Sequence, residues 1–203
     1  MARSRAVREI EIKLEIPSAS AGRSLLRKAG FRISRRRHHE DNLVFDFAGG
    51  ALRSSGVLLR LRTVGGAGTV TLKQAIEGGK HKSRLEVETA VGDASNLAAI
   101  LEGVGLRAVF RYEKHRTEYQ EGGRRGTVVL DETPVGVFLE LEGSPKWIDD
   151  TARRLGFAER DYICKSYGQL FEERRRRCGL GRHMVFPARL RGKLAAPLSP
   201  TSQ

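Results

Sequence analysis

Charged residues occupy every second position of several otherwise apolar stretches. Glu9, Glu11 and Lys13 alternate with Ile10, Ile12 and Leu14, Arg60 and Arg62 flank Leu61, and Thr71 and Lys73 flank Leu72. Farther on, Arg84, Glu86 and Glu88 alternate with Leu85 and Val87, Lys114 and Arg116 share one parity, and Glu140 and Glu142 alternate with Leu139 and Leu141. A period of two places such residues on one face of a strand and the apolar ones on the other. Carboxylates grouped without His or Cys suit hard cations such as Mg2+ or Mn2+. Clustered Arg and Lys suit phosphate oxygens, Arg through its planar fork. If the charged faces converge, the chemistry they offer is that of a metal-bound polyphosphate.

The elements that must position these residues read as eight strands: 8–16, 43–47, 56–64, 68–75, 83–91, 108–120, 126–133 and 135–143. Glycine-rich links such as GGAG and EGGRRG, and the turn ETPVG, join several of them as hairpins require. Three helices are predicted over 18–29, 93–104 and 144–155, each opening at a Ser or Asp cap and closing on Gly30, Gly105 or Gly156. Sequential hairpins with few helices predict an α+β fold, an antiparallel eight-stranded β-barrel with flanking helices. The amphipathic helices need an apolar sheet face to cover, so the apolar faces should point outward beneath them and the charges inward. A dry interior does not tolerate so many ions, because each desolvated charge costs several kcal/mol unless paired or hydrated. The bore should therefore be wet and built for an ionic ligand.

The 203-residue chain carries a formal net charge of +13, and its last thirty positions hold eight basic residues and no Asp or Glu. These are Arg174 to Arg177, Arg182, Arg189, Arg191 and Lys193. Pro187, Pro197 and Pro200 fall in the same stretch, which shows no sustained periodicity, so residues 176–203 read as a basic, disordered tail and 1–175 as one domain. The tail lacks the aromatic interleaving of a base-stacking surface, and no specific nucleic-acid partner is expected. Cys164 and Cys178 show neither disulfide nor zinc spacing, no apolar run approaches the ~20 residues of a membrane span, and MARSRAVREI lacks the core of a signal peptide. Together these features point to a cytoplasmic location.

In this order, the charged residues resemble the CYTH domain of the triphosphate tunnel metalloenzymes, the superfamily of class IV adenylyl cyclases, thiamine triphosphatases and inorganic triphosphatases. The likeness opens with an ExExK signature at Glu9, Glu11 and Lys13 and continues through Asp41, Asp46, the pair Arg60 and Arg62, Lys73, and the RxExE strand at Arg84. Lys114 with Arg116, Asp131, the GVFLELE strand and Lys165-Ser166-Tyr167 complete it, over residues 8 to about 170. The resemblance implies an eight-stranded tunnel in which Glu9, Glu11 and Glu142 hold a first cation, Mg2+ or Mn2+, and Asp131 and Glu140 favour a second. It also implies that Lys13, Arg60, Arg62, Lys73, Arg84, Lys114, Arg116 and Lys165 bind a triphosphate. Lys73 is the candidate general base toward water, because clustering with arginines and partial burial favour a neutral amine.

The expected partner is thus a small-molecule triphosphate: tripolyphosphate, thiamine triphosphate or ATP. A metal-dependent triphosphatase is the preferred reading, since Phe45, Phe47, Phe110, Tyr112 and Tyr119 fit ordinary strand packing as well as base stacking and mark no adenine pocket. The alternatives are a class IV adenylyl cyclase, converting ATP to cyclic AMP and pyrophosphate, and a non-catalytic polyphosphate or nucleotide binder. A homodimer that closes one tunnel mouth is compatible with each.

Overall fold

The alternation is realised as eight strands: β1 (Val7–Ile16), β2 (Arg32–Phe47), β3 (Val57–Val64), β4 (Ala67–Ile76), β5 (Lys82–Val91), β6 (Leu106–Gln120), β7 (Gly126–Thr133) and β8 (Gly136–Gly143). They close into a barrel in the order β1-β5-β4-β3-β2-β6-β7-β8, with antiparallel pairing throughout and β8 returning to β1. The computed structural model describes residues 6–76, 79–123, 125–177, 179 and 181–187. Among these, no helix is long and apolar enough to cross a membrane.

Three helices fall where the caps place them: α1 (Ala19–Lys28), α3 (Ala94–Gly103) and α4 (Pro145–Arg154). The side chains of Ser18, Asp93 and Ser144 accept hydrogen bonds from the amides of Ala21, Asn96 and Trp147. Gly30, Gly105 and Gly156 follow their C-termini at φ of 84°, 95° and 87°, a left-handed turn that a Cβ would penalise. Two further helices escape the sequence reading. α2 (Ala51–Ser54) is a single turn whose Leu52 and Arg53 amides donate to the carboxylate of Asp46, and α5 (Tyr167–Arg174) is too short and polar to show a helical period.

The apolar strand faces do point outward. Ile12 and Leu14 of β1, Leu130 of β7, and Leu139 and Leu141 of β8 are fully buried beneath Leu26 of α1 and Trp147, Ile148 and Ala152 of α4. On the opposite side, Leu97, Ala98 and Leu101 of α3 pack on Phe45, Leu61 and Leu106. Cover is incomplete over β4 and β5, where Leu72, Leu85 and Val87 remain 42%, 40% and 36% exposed.

Two boundaries differ from expectation. β2 begins at Arg32, eleven residues before the predicted start at 43, because RISRRRHHE shows no alternation. Its strand character comes from pairing with the long β6, with register shifts between Ile33 and Arg35 and between Arg35 and His38. At the other end, residues 181–187, assigned from the sequence to a disordered tail, lie against β6, with Met184 fully buried beside Tyr112, Tyr167 and Phe171. Met184 anchors this short segment, and the Phe186 ring packs beside His115; residues 188–203 lie outside the described residues.

The barrel and α4 meet closely at Gly126, where a Cβ would stand 2.5 Å from the Trp147 ring. Gly126→Ala should therefore lower stability by about 1–3 kcal/mol, the usual cost of overpacking, measurable as a lower urea midpoint. An unchanged midpoint would mean that α4 retreats freely.

Candidate active site

The bore holds a cavity of about 1070 Å3, walled by inward-facing residues of β1, β3, β4, β5, β6 and β8, with contributions from β2 and α5. Its charges are ordered by the ladders. Facing one another across adjacent strands are Glu9 and Arg84, Glu11 and Lys82, Lys13 and Glu140, Lys73 and Glu86, Glu40 and Lys114, and Arg116 and Asp131. Such opposite-charge pairs stabilise a sheet, and like pairs destabilise it. Among the bore-facing pairs of described residues, Glu11 opposite Glu142 is the like-charged one.

Glu9, two residues before Glu11, joins that pair, and the three residues bring carboxylate oxygens within 4.8 Å of one another. Burial pushes the Glu142 carboxyl up to about 7, and repulsion from Glu140, Glu9 and Glu11 adds to the rise against the pull of Arg116. Burial also works against ionised Glu11, but Lys13, Lys82 and Lys73 outweigh it and hold that carboxyl below the usual range. Three oxygen donors without a soft ligand, one of them driven toward neutrality by burial and by anionic neighbours, form a donor set that fits a hard divalent cation.

The cations divide into two groups. In the first, Arg60 donates from Nη2 to Thr71 Oγ1 at 3.1 Å, while its buried Nε has no hydrogen-bond partner among the described residues. Arg62 donates from Nε to Asn42 Oδ1 at 3.1 Å and lies 3.2 Å from Glu40. Arg84 lines the cavity with no ion-pair partner among the described residues. Lys73 is held by Glu9 at 2.7 and 2.9 Å and by Glu86 at 3.0 Å. Its immediate partners are carboxylates rather than the arginines expected.

The second group is already matched. Asp131, fully buried, accepts hydrogen bonds from Lys114 Nζ at 2.8 Å, from Arg116 at 2.9 and 2.7 Å, and from the Tyr167 hydroxyl at 2.8 Å. Glu140 pairs with Lys13 at 2.9 Å and with Arg116. The ammonium groups of Lys13 and Lys114 stand 5.0 and 5.1 Å from the centre of the Tyr167 ring, a cation–π distance. Lys165 stands apart: it is half-exposed, pairs with Glu173 at 2.5 Å and does not line the cavity.

Three residues of the site escape the sequence reading. Lys82 shares the parity of Arg84, so extending that alternation two residues upstream would have found it. It bonds Glu11, and burial together with repulsion from Lys13 pushes its amine down to about 8. Glu40, 1% exposed and 3.5 Å from Lys114, is hidden in the irregular start of β2. Tyr167 carries no charge and so leaves no trace in the pattern of alternation, although the resemblance includes its position.

A closed eight-stranded barrel around an ion-lined bore has counterparts among known proteins. The CYTH domain model matches residues 7–167. The chain belongs to the CYTH domain family. A Methanocaldococcus jannaschii protein named "putative adenylate cyclase" is 27% identical over 172 residues, covering 80% of this chain and 97% of that protein. Two solved structures share the fold. One, from Vibrio parahaemolyticus and also described as a putative adenylate cyclase, has a TM-score of 0.71 at 17% identity, over 83% of this CYTH chain and 99% of its own. The other, from Hippeastrum, is described as a putative adenylyl cyclase with a dominant triphosphatase activity. It has a TM-score of 0.61 at 23% identity, over 81% of this chain and 95% of its own.

The raised Glu142 carboxyl has a consequence for stability. The folded chain keeps a proton there that the unfolded chain, titrating near 4.5, has released, so this group makes stability fall as pH rises from 4.5 through about 7. Glu142→Gln should remove that fall. In thermal melts the wild type should gain more from Mg2+ or Mn2+ at about pH 8 than at about pH 5.5, and the variant should gain little at either. An equal metal-induced shift in the variant would place the cation elsewhere.

Proposed function

We propose that this CYTH chain is a divalent-cation-dependent triphosphatase acting on an organic triphosphate held in the bore. One observation carries the reading: the carboxylates of Glu9, Glu11 and Glu142 and the guanidinium groups of Arg60, Arg62 and Arg84 line the same cavity. A cation held by the three carboxylates would neutralise phosphate oxygens and act as a Lewis acid toward phosphorus. Arg60, Arg62 and Arg84 offer forked donors to the non-bridging oxygens, and Lys73 and Lys82, beside the same carboxylates, offer point charges. Phosphoryl transfer asks for positioning and for charge placed in advance where it develops, and these groups supply both.

Roles differ for the matched group. We assign Lys13, Lys114 and Arg116, with Asp131, Glu140 and the Tyr167 hydroxyl, to a rigid charged wall that shapes the bore. Their mutual bonds give no support to a second cation on Asp131 and Glu140, and the position of Lys165 gives none to a phosphate contact. The pairing of Lys73 with Glu9 and Glu86 supports an electrostatic role over proton abstraction.

Size favours an organic substrate. A cavity of about 1070 Å3 stands at the upper end of small-molecule sites, roughly 300–1,000 Å3. Val44, Leu58, Phe110 and Tyr112 line it with apolar surface beyond what a phosphate chain needs. The same surface favours a second reading, adenylyl cyclase, in which the ribose hydroxyl of ATP takes the place of water; the name of the M. jannaschii relative agrees with it.

Incubation with ATP, thiamine triphosphate and tripolyphosphate, each with Mg2+ and with Mn2+, tests the choice. Phosphate released from an organic triphosphate is expected; cyclic AMP as the main product would transfer the assignment to the cyclase, and tight binding without turnover to a non-catalytic binder. Arg60→Ala should lower kcat/KM by about a hundredfold or more, the usual effect of deleting a donor aimed at developing charge. A loss under threefold would remove Arg60 from the site.

A further inference from the structure

The chain continues past the region matched by the CYTH model, and residues 181–187 of that continuation are built into the barrel. β7 pairs with β6 only between Tyr119 and His115, so β6 positions 111 and 113 receive no β7 partner. The continuation takes them. The Met184 amide donates to the Arg111 carbonyl at 3.0 Å, the Glu113 amide donates to the Met184 carbonyl at 2.8 Å, and the Phe186 amide donates to the Glu113 carboxylate at 3.0 Å. Met184 bridges Tyr112 in parallel sense, and the Phe186 ring lies 5.0 Å from that of His115. Arg182, exposed and two residues before Met184, lines the substrate cavity without an ion-pair partner among the described residues.

We infer that this C-terminal segment is a ninth strand that completes the wall of the substrate cavity, and that Arg182 binds the anionic substrate at the rim. The inference rests on the triphosphate reading of the bore. Strand addition explains why this continuation is seated here: without it, backbone groups of β6 would lack partners beside Tyr112, whose own side chain lines the cavity. Its effect on Arg182 is to hold a guanidinium at the rim by backbone bonds two residues away, so the contact costs little ordering. A rim contact is screened by salt and is made equally to substrate and transition state, so it acts on KM rather than kcat.

Hydrogen exchange on the wild-type chain and kinetics of Arg182→Ala, with ATP and tripolyphosphate as probes, test the two halves. The amides of Met184 and Glu113 should be protected, and Arg182→Ala should raise KM about threefold to tenfold at low salt with kcat unchanged, and less at high salt. Fast exchange at both amides would overturn the ninth strand, and an unchanged KM would overturn the contact. A wild type that neither binds nor turns over either probe would instead sink the triphosphate reading, while exchange at Met184 and Glu113 would still decide the strand.

Discussion

Opposite charges facing one another across hydrogen-bonded strands are what allow eight strands to turn their ionic faces inward. Each of Lys13, Lys73, Lys82, Lys114 and Arg116 meets a carboxylate on a neighbouring strand at the same level. Removing one member of such a pair leaves an uncompensated buried ion, which costs far more than the pair contributes. The wall is thus specified by mutual neutralisation, and a departure from it stands out. Glu11 opposite Glu142, with Glu9 alongside, is that departure: a concentration of negative charge in which lysines offset Glu11 but burial and anionic neighbours hold the Glu142 carboxyl up. A divalent ion would repair this mismatch while drawing on carboxylates the fold already holds in place.

The outer layer makes this interior affordable in conformational terms. α1 and α4 press on β1, β7 and β8, the strands that carry Glu9, Glu11, Asp131, Glu140 and Glu142, and the contact is dense enough that Gly126 has no room for a methyl group. Carboxylates on this side therefore sit on strands that two helices cover closely. Arg60, Lys73 and Arg84 lie on β3, β4 and β5, and over β4 and β5 helical cover thins and Leu72, Leu85 and Val87 meet solvent. The side carrying Glu9, Glu11 and Glu142 is thus closely covered by helices, and the side carrying Lys73 and Arg84 less so.

How much of this is legible in the sequence depends on whether a signal is periodic. Parity survives in any single strand, so the inward set from Glu9 to Glu142 and the closed, inside-out barrel follow from alternation and the need to cover apolar faces. The three helices are marked by local chemistry at their ends, with Ser18, Asp93 and Ser144 at one and glycine at the other. What alternation does not carry is pairing. That Asp131 and Glu140 are consumed by Lys114, Arg116 and Lys13, or that Lys73 sits between two carboxylates, depends on register between strands far apart in the chain. Glu40 is lost to bulges that scramble parity, and Lys165 matches a motif while its side chain turns to Glu173. The seating of Met184 depends on a gap left by β7, a property of strand lengths rather than of the residues near Met184.

Because the wall closes on itself and its two faces have opposite character, its strands tolerate changes of residue far better than changes of length. A single extra residue within β5 would send Arg84, Glu86 and Glu88 to the outside and carry Leu85 and Val87 into the charged bore. Natural variation in the number of residues should accordingly collect in the hairpins and in the loops beside the helices. The interior of each strand should keep its count even where its chemistry drifts.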